Sequence, residues 1–210
     1  MEPVRDSTKN LQLLSELLLK SPMRETRATG ERVSALKAGD LQDLKALAMT
    51  NHVIMRSFAP LQNLLQAGGN QQAVEWIALA IQEETARIHH ALGFLQLICN
   101  ALEERGCPAI VIKSLDHWPD LGSDLDLYTD ADAAKVVEVM SACFGAKLAD
   151  RSWGDRLANK WNFVVPGLPE LVEVHAGRLG QTGEQTAVTR SVSAHARVAE
   201  VGTSFSRTRA

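Results

Sequence analysis

The sequence predicts an α+β protein: a helical N-terminal region followed by a β-β-α-β-β core. Two observations carry this reading. Up to Arg105 the apolar residues recur at steps of three and four, the period of one helix face. Beyond Gly106 the chain changes to short β-branched runs and strict alternation, the period of a strand. The switch sets the organisation: residues 1–105 form the helical region, 106–180 the core, and 181–210 a weakly structured C-terminal segment.

Each element has its own signal. Leu11, Leu14, Leu17 and Leu18 mark a first helix, which Ser21-Pro22 ends. Asp40 is the expected N-cap of a helix carrying Leu41, Leu44 and Leu47. A third segment, 51–66, stops at Gly68-Gly69 and holds Pro60, a residue able to kink it. The longest signal is 71–105, where Val74, Ile77, Ile81, Ile88, Leu92, Leu95, Cys99 and Leu102 form one apolar stripe. Gly106 ends that helix and Pro108 prevents its continuation. Ala109 to Ile112 then reads as a buried strand, and Asp124 to Thr129 as an alternating one. The stretch 129–132 offers N-cap oxygens for a helix faced by Ala133, Val136, Val137 and Met140, closed by Gly145. Trp161 to Val165 and Leu171 to Ala176 form a strand pair across the turn Pro166-Gly167-Leu168-Pro169.

Bulk properties exclude several classes. Lys plus Arg number 22 against 25 Asp plus Glu, a net charge of −3, which lacks the basic surplus of a nucleic-acid binder. No apolar run approaches the roughly 18 residues of a membrane span, so no membrane partner is expected. The start lacks a signal-peptide pattern, and the three cysteines, Cys99, Cys107 and Cys143, have no CxxC spacing. A cytoplasmic protein with reduced thiols is the expectation. No Ser-His-Asp set, P-loop or GxGxxG pattern is visible.

The chemistry concentrates at Gly122-Ser123-Asp124-Leu125-Asp126-Leu127. Strand residues two apart project to one face, so Asp124 and Asp126 point together while Leu125 and Leu127 point into the core. Two such carboxylates repel unless a cation sits between them. Later, Glu173 and His175 share a face, with Val172 and Val174 opposite. Pairing the two strands would bring Glu173 toward the aspartates, and three carboxylates around one or two metals clamp a phosphoryl group for in-line displacement. An acidic solvent face of an antiparallel sheet would show the same alternation.

These residues resemble the DNA polymerase β-like nucleotidyltransferase superfamily, whose members carry a Gly-Ser or related pair after a strand, then Asp-x-Asp on the next strand and a further acid later. Ser114 stands ten residues before Asp124, the expected spacing. More narrowly, Lys113-Ser114, Trp118-Pro119, Asp124-Leu125-Asp126-Leu127 and Glu173-Val174-His175 resemble the bacterial uncharacterised nucleotidyltransferase family with a helical N-terminal region. The resemblance spans 109–178 and covers the preceding helices loosely. It implies a palm core with a small mixed sheet. It implies Asp124, Asp126 and Glu173 as catalytic, metal-binding residues, with Mg²⁺ or Mn²⁺ as cofactor and Glu173 either a ligand or the base. Lys113, Ser114 and Ser123 would bind the triphosphate, expected to be ATP, and His175 would orient Glu173 or approach the acceptor. The reaction implied is transfer of a nucleoside monophosphate to a hydroxyl of an unknown small-molecule or protein acceptor.

The chain departs from the family pattern in three places. Lys113-Ser114 replaces Lys-Gly, an Arg before the acid pair is missing, and the sequence ends at Ala210 without a further helical segment. A truncated or catalytically degenerate member acting as an assembly module is the alternative. Of the remaining residues, His89 and His90 are expected on the surface, because adjacent helix positions diverge by about 100°. Trp76, Trp153 and Trp161 are expected to pack. His117-Trp118 reads as a loop anchor or base stack, and Arg151, Arg156 and Lys160 as solvated charge or a triphosphate contact.

Overall fold

A computed structural model describes residues 7–19 and 27–179. The helix stop at Ser21-Pro22 and the segment 181–210 lie outside the described residues. The fold is α+β, with a small mixed sheet of five strands. The chain forms two compact units, Met1–Ile88 and His89–Ala210, and the division falls inside a helix.

The first unit holds α1 (Ser7–Leu19), α2 (Arg27–Ser34), α3 (Ala38–Thr50), α4 (Ile54–Ala67) and the first half of α5 (Gln71–Glu104). Each helix contributes a stripe to one core that includes Leu14, Val33, Leu44, Phe58, Leu61, Leu65 and Ile77. Phe58, Leu61 and Leu65 fall three and four apart, which puts them on one face of α4. That helix continues through Pro60. Glu16 ties α1 to α2 by accepting from Thr29 at 3.0 Å and from the Arg32 guanidinium. Asp40 is not an N-cap. The N-cap is Lys37, three residues earlier, and the Asp40 carboxylate reaches back to accept the Lys37 N–H at 2.9 Å. An acid at the third helical position supplies the other half of a capping box, satisfying the N–H of the N-cap residue itself.

In the second unit, α5 ends where Gly106 adopts φ +68° and the Cys107 N–H returns to Leu102 O at 2.8 Å. The strands β1 (Ala109–Val111), β2 (Asp124–Thr129), β3 (Lys147–Leu148), β4 (Lys160–Val164) and β5 (Leu171–Ala176) stand in the order β1-β2-β5-β4-β3. β2 and β5 are central and parallel; every other pair is antiparallel. Parallel neighbours need a crossover, and here it runs through α6 (Ala133–Phe144), β3, α7 (Trp153–Leu157) and β4. Asp132 caps α6 by accepting the Ala134 N–H, and Gly145 closes it with φ +60°.

Leu125, Leu127, Val172, Val174 and Phe163 form the buried face of the sheet. The other face carries Asp124, Asp126 and Tyr128 on β2, Glu173 and His175 on β5, and Lys160 and Asn162 on β4. Three elements escape the sequence reading, the eight-residue α2 among them. β3 has only two residues, too few to show a period. α7 has five, and its signal is local: the Ser152 hydroxyl accepts the Asp155 N–H at 3.1 Å while Asp155 accepts the Ser152 N–H at 2.8 Å.

One junction beside the acidic strand explains the Lys113-Ser114 pair. Ile112 N–H donates to Asp126 O at 2.9 Å, the last rung between β1 and β2. The chain then turns away at Lys113, whose φ is +62°, and the Ser114 hydroxyl takes the vacated rung by accepting the Asp126 N–H at 2.7 Å. Ser114→Ala leaves that donor unmatched, and the expected loss is about 1–2 kcal/mol in urea unfolding. An unchanged midpoint would remove Ser114 from this role. Lys113 sits in the left-handed region, where a side chain costs about 1 kcal/mol relative to glycine. Lys113→Gly should therefore be more stable than Lys113→Ala by about that amount. The reverse order in the same denaturation series would contradict the strain argument.

Candidate functional site

The site is assembled from two rungs on the polar face of the sheet. Asp126 on β2 lies directly opposite Glu173 on β5, and Asn162 on β4 lies opposite Glu173 from the other side. The adjoining rung sets Tyr128, His175 and Lys160 side by side. Ligating atoms of Asp126, Glu173 and His175 all fall within 4.8 Å of one another. Burial increases along the two parallel strands, from exposed Asp124 through half-buried Asp126 and Glu173 to buried His175 and Tyr128.

The acids are held by local cations. Lys160 Nζ is 2.9 Å from Glu173 Oε1, and His175 Nε2 donates to the same oxygen at 2.7 Å. Asp126 Oδ1 stands 3.8 Å from that Nε2 and 3.2 Å from Lys113 Nζ. Burial pushes the Glu173 carboxyl up, but hydrogen bonds and charge from His175 and Lys160 prevail and hold it at about 2, down from 4.5. For His175, burial opposes the charged ring, while the Asp126 and Glu173 carboxylates overcome it and raise the imidazole above 6.5.

The structure separates the sequence candidates. Asp126, Glu173 and His175 come together. Asp124 shares their face but sits at the exposed start of β2, outside the cluster. Lys113 is exposed and reaches Asp126. The Ser114 hydroxyl faces β2 as a brace, since it is committed to the Asp126 N–H. Ser123 is exposed, and its carbonyl accepts the Leu171 N–H at 3.2 Å, starting the β2–β5 pairing.

Two further residues belong to the site. Lys160 pairs with Glu173, whereas Arg151 stacks its guanidinium 3.9 Å from the Trp161 ring and Arg156 is exposed. Asn162, not singled out from the sequence, is buried, and its Oδ1 has no hydrogen-bond partner among the described residues. The only available signal was the alternation Lys160, Asn162 on β4, which becomes informative once the register with Glu173 is known.

The other aromatic and histidine candidates resolve simply. His89 and His90 are exposed, and His90 Nε2 lies 2.7 Å from Gly167 O. Trp76 packs near Phe58, with ring centroids 6.5 Å apart. Trp161 is half-buried and donates to Asn159 Oδ1 at 3.0 Å. Trp153 does not pack: it is 76% exposed, because α7 buries no side chain. His117 is exposed and Trp118 half-buried in the loop before β2. Among the described residues no helix is long and apolar enough to cross a membrane.

Comparison with known protein families, with characterised proteins and with solved structures found no match.

Proposed function

We propose that the chain is a metal-dependent nucleotidyltransferase that moves a nucleoside monophosphate from a triphosphate, ATP being the expected one, to a hydroxyl of an acceptor. The observation that supports this most is the juxtaposition of Asp126 and Glu173 on adjacent parallel strands, with Asp124 two residues up the same face. Oxygen donors gathered in this way suit Mg²⁺ or Mn²⁺, so the residues fit the ion that such a reaction requires. When bound, the ion supplies positive charge against the phosphoryl oxygens and orients the in-line displacement.

On this reading the chain's own groups divide the work. Asp126 and Glu173 would hold the metal ion, and Asp124, at the exposed start of β2, would help hold the metal-bearing triphosphate. Lys113, whose side chain is 59% exposed, turns its Nζ from Asp126 to the triphosphate oxygens. Ser114 fixes the strand carrying Asp126, and Ser123 lines the entrance. Glu173 acts as a ligand, because His175 and Lys160 hold its carboxyl below the usual range and keep it ionised. His175 and Lys160 keep Glu173 aimed at Asp126.

One observation favours a second reading. Lys113, Lys160 and His175 already compensate Asp126 and Glu173. A degenerate member of the same fold, serving as an interaction or assembly module, would retain such internal counter-ions without turnover. Incubation with each α-labelled nucleoside triphosphate, Mg²⁺ or Mn²⁺ and cell extract as acceptor source separates the two. Transfer is expected with the wild type and lost in Asp124→Ala and Asp126→Ala. Equal labelling in all three proteins, or none in any of them, supports the degenerate reading.

A further inference from the structure

We propose that Asp126, Glu173, His175 and Asn162 form one mixed nitrogen–oxygen cation site that takes a divalent transition metal in preference to Mg²⁺. The assignment rests on reading this sheet face as the functional site, but it does not depend on nucleotide transfer.

The donor set is the first argument. Mg²⁺ favours all-oxygen surroundings and keeps several waters, whereas an imidazole nitrogen favours transition metals. His175 contributes that nitrogen from a position only 2% exposed, its Nε2 releasing to solvent the proton it donates to Glu173 Oε1 as the ion enters. Ligands about 2.0–2.2 Å from one ion stand at most about 4.4 Å apart. The ligand atoms of Asp126, Glu173 and His175 lie within 4.8 Å of one another, close to that limit.

Free valence is the second argument. The side-chain contacts of Glu173 fall on Oε1 and those of Asp126 on Oδ1. Among the described residues, Oε2 and Oδ2 carry no protein hydrogen bond, and neither is sealed from solvent. A cation can be taken up on these oxygens while Lys160 stays on Oε1.

Asn162 supplies an independent observation. It is 9% exposed, its Oδ1 is buried without a partner, and its register position faces it toward Glu173. Directly opposed antiparallel residues have Cβ atoms about 4.5–5.5 Å apart, so the Asn162 side chain leaves the sheet beside that of Glu173. A buried amide carbonyl left without a donor costs about 1–3 kcal/mol. A cation in the adjoining space removes that cost and explains why the position is not apolar.

The test uses the full chain, stripped with chelator and titrated with Mn²⁺ alone while the paramagnetic resonance signal of free Mn²⁺ is followed. One Mn²⁺ per chain is expected, bound roughly 10–100-fold more tightly than Mg²⁺ in competition, with Zn²⁺ displacing it. His175→Gln should bring the Mn²⁺ and Mg²⁺ affinities to within about threefold. Asn162→Leu should weaken Mn²⁺ by roughly tenfold, while Asn162→Asp, which keeps shape and an oxygen donor, retains it. Asp124→Ala should leave Mn²⁺ affinity within about twofold, being outside the cluster. Equal Mn²⁺ and Mg²⁺ affinity in the wild type overturns the proposal. So does an unaltered Asn162→Leu, loss in Asn162→Asp as large as in Asn162→Leu, or equal losses in Asp124→Ala and Asp126→Ala. Mn²⁺ binding without label transfer retires the transferase reading and leaves the cation site standing; transfer on Mg²⁺ with no Mn²⁺ preference does the converse.

Discussion

Replacing Asp126 with asparagine is expected to cut label transfer from nucleoside triphosphate by about 10³-fold, since a catalytic metal contributes several kcal/mol to charge stabilisation. The substitution keeps the side chain's shape and leaves the backbone N–H on the Ser114 hydroxyl, so the strand itself should hold. What disappears is the charge opposite Glu173, at the point where β2 and β5 are in register. Lys113 and His175 both lose a carboxylate neighbour, and metal affinity should fall together with transfer. Asp124→Asn is expected to impair transfer while sparing that affinity, because Asp124 stands at the exposed end. Isothermal titration with Mn²⁺ beside the labelling assay reads both quantities. A fall in transfer for Asp126→Asn with metal affinity intact would sink the inner-ligand role.

The second large effect concerns stability. Glu173→Gln removes the charge that Lys160 and buried His175 share, and stranding such partners is costly. The pH dependence has a definite sign. The Glu173 carboxyl is depressed from 4.5 to about 2, so its contribution is present above about 4.5 and is lost as the pH falls toward 2. The His175 imidazole is raised above 6.5, so its contribution is full below 6.5 and is lost as the pH rises through the folded-state value. The pair therefore stabilises most between about pH 4.5 and 6.5. In that window, with chelator present, Glu173→Gln is expected to cost about 1–3 kcal/mol in urea unfolding, part of the charge pairing being screened by solvent. The gap should narrow at pH 3 and again at alkaline pH, where only Lys160 continues to depend on the charge. A gap that stays constant from pH 3 to 9 would refute the linkage.

Much of the fold is legible along the chain because its signals are local. Alternation marks β2 and β5 to the residue, since a strand with one apolar face needs every second side chain buried. Gly106 and Gly145 mark helix ends because a left-handed closing residue is cheapest for glycine. Asp40 shows the limit of such reasoning: a carboxylate can cap from the third helical position as well as from the first, and composition does not say which. β3 and α7 fall below the length at which a period is measurable.

The acidic motif divides in the same way. By itself the sequence determines that Asp124 and Asp126 share one face of a strand and that Glu173 and His175 share one face of another, because side-chain direction in a strand has period two. Tertiary structure decides which of them meet. Parallel register sets Asp126, not Asp124, against Glu173, and antiparallel pairing brings Lys160 and Asn162 beside them from a strand whose residues look unexceptional. Register is a long-range property, fixed by the packing of the whole apolar face. The aspartates that the sequence presents as a symmetric pair therefore become, in the folded chain, an inner ligand and an outer one.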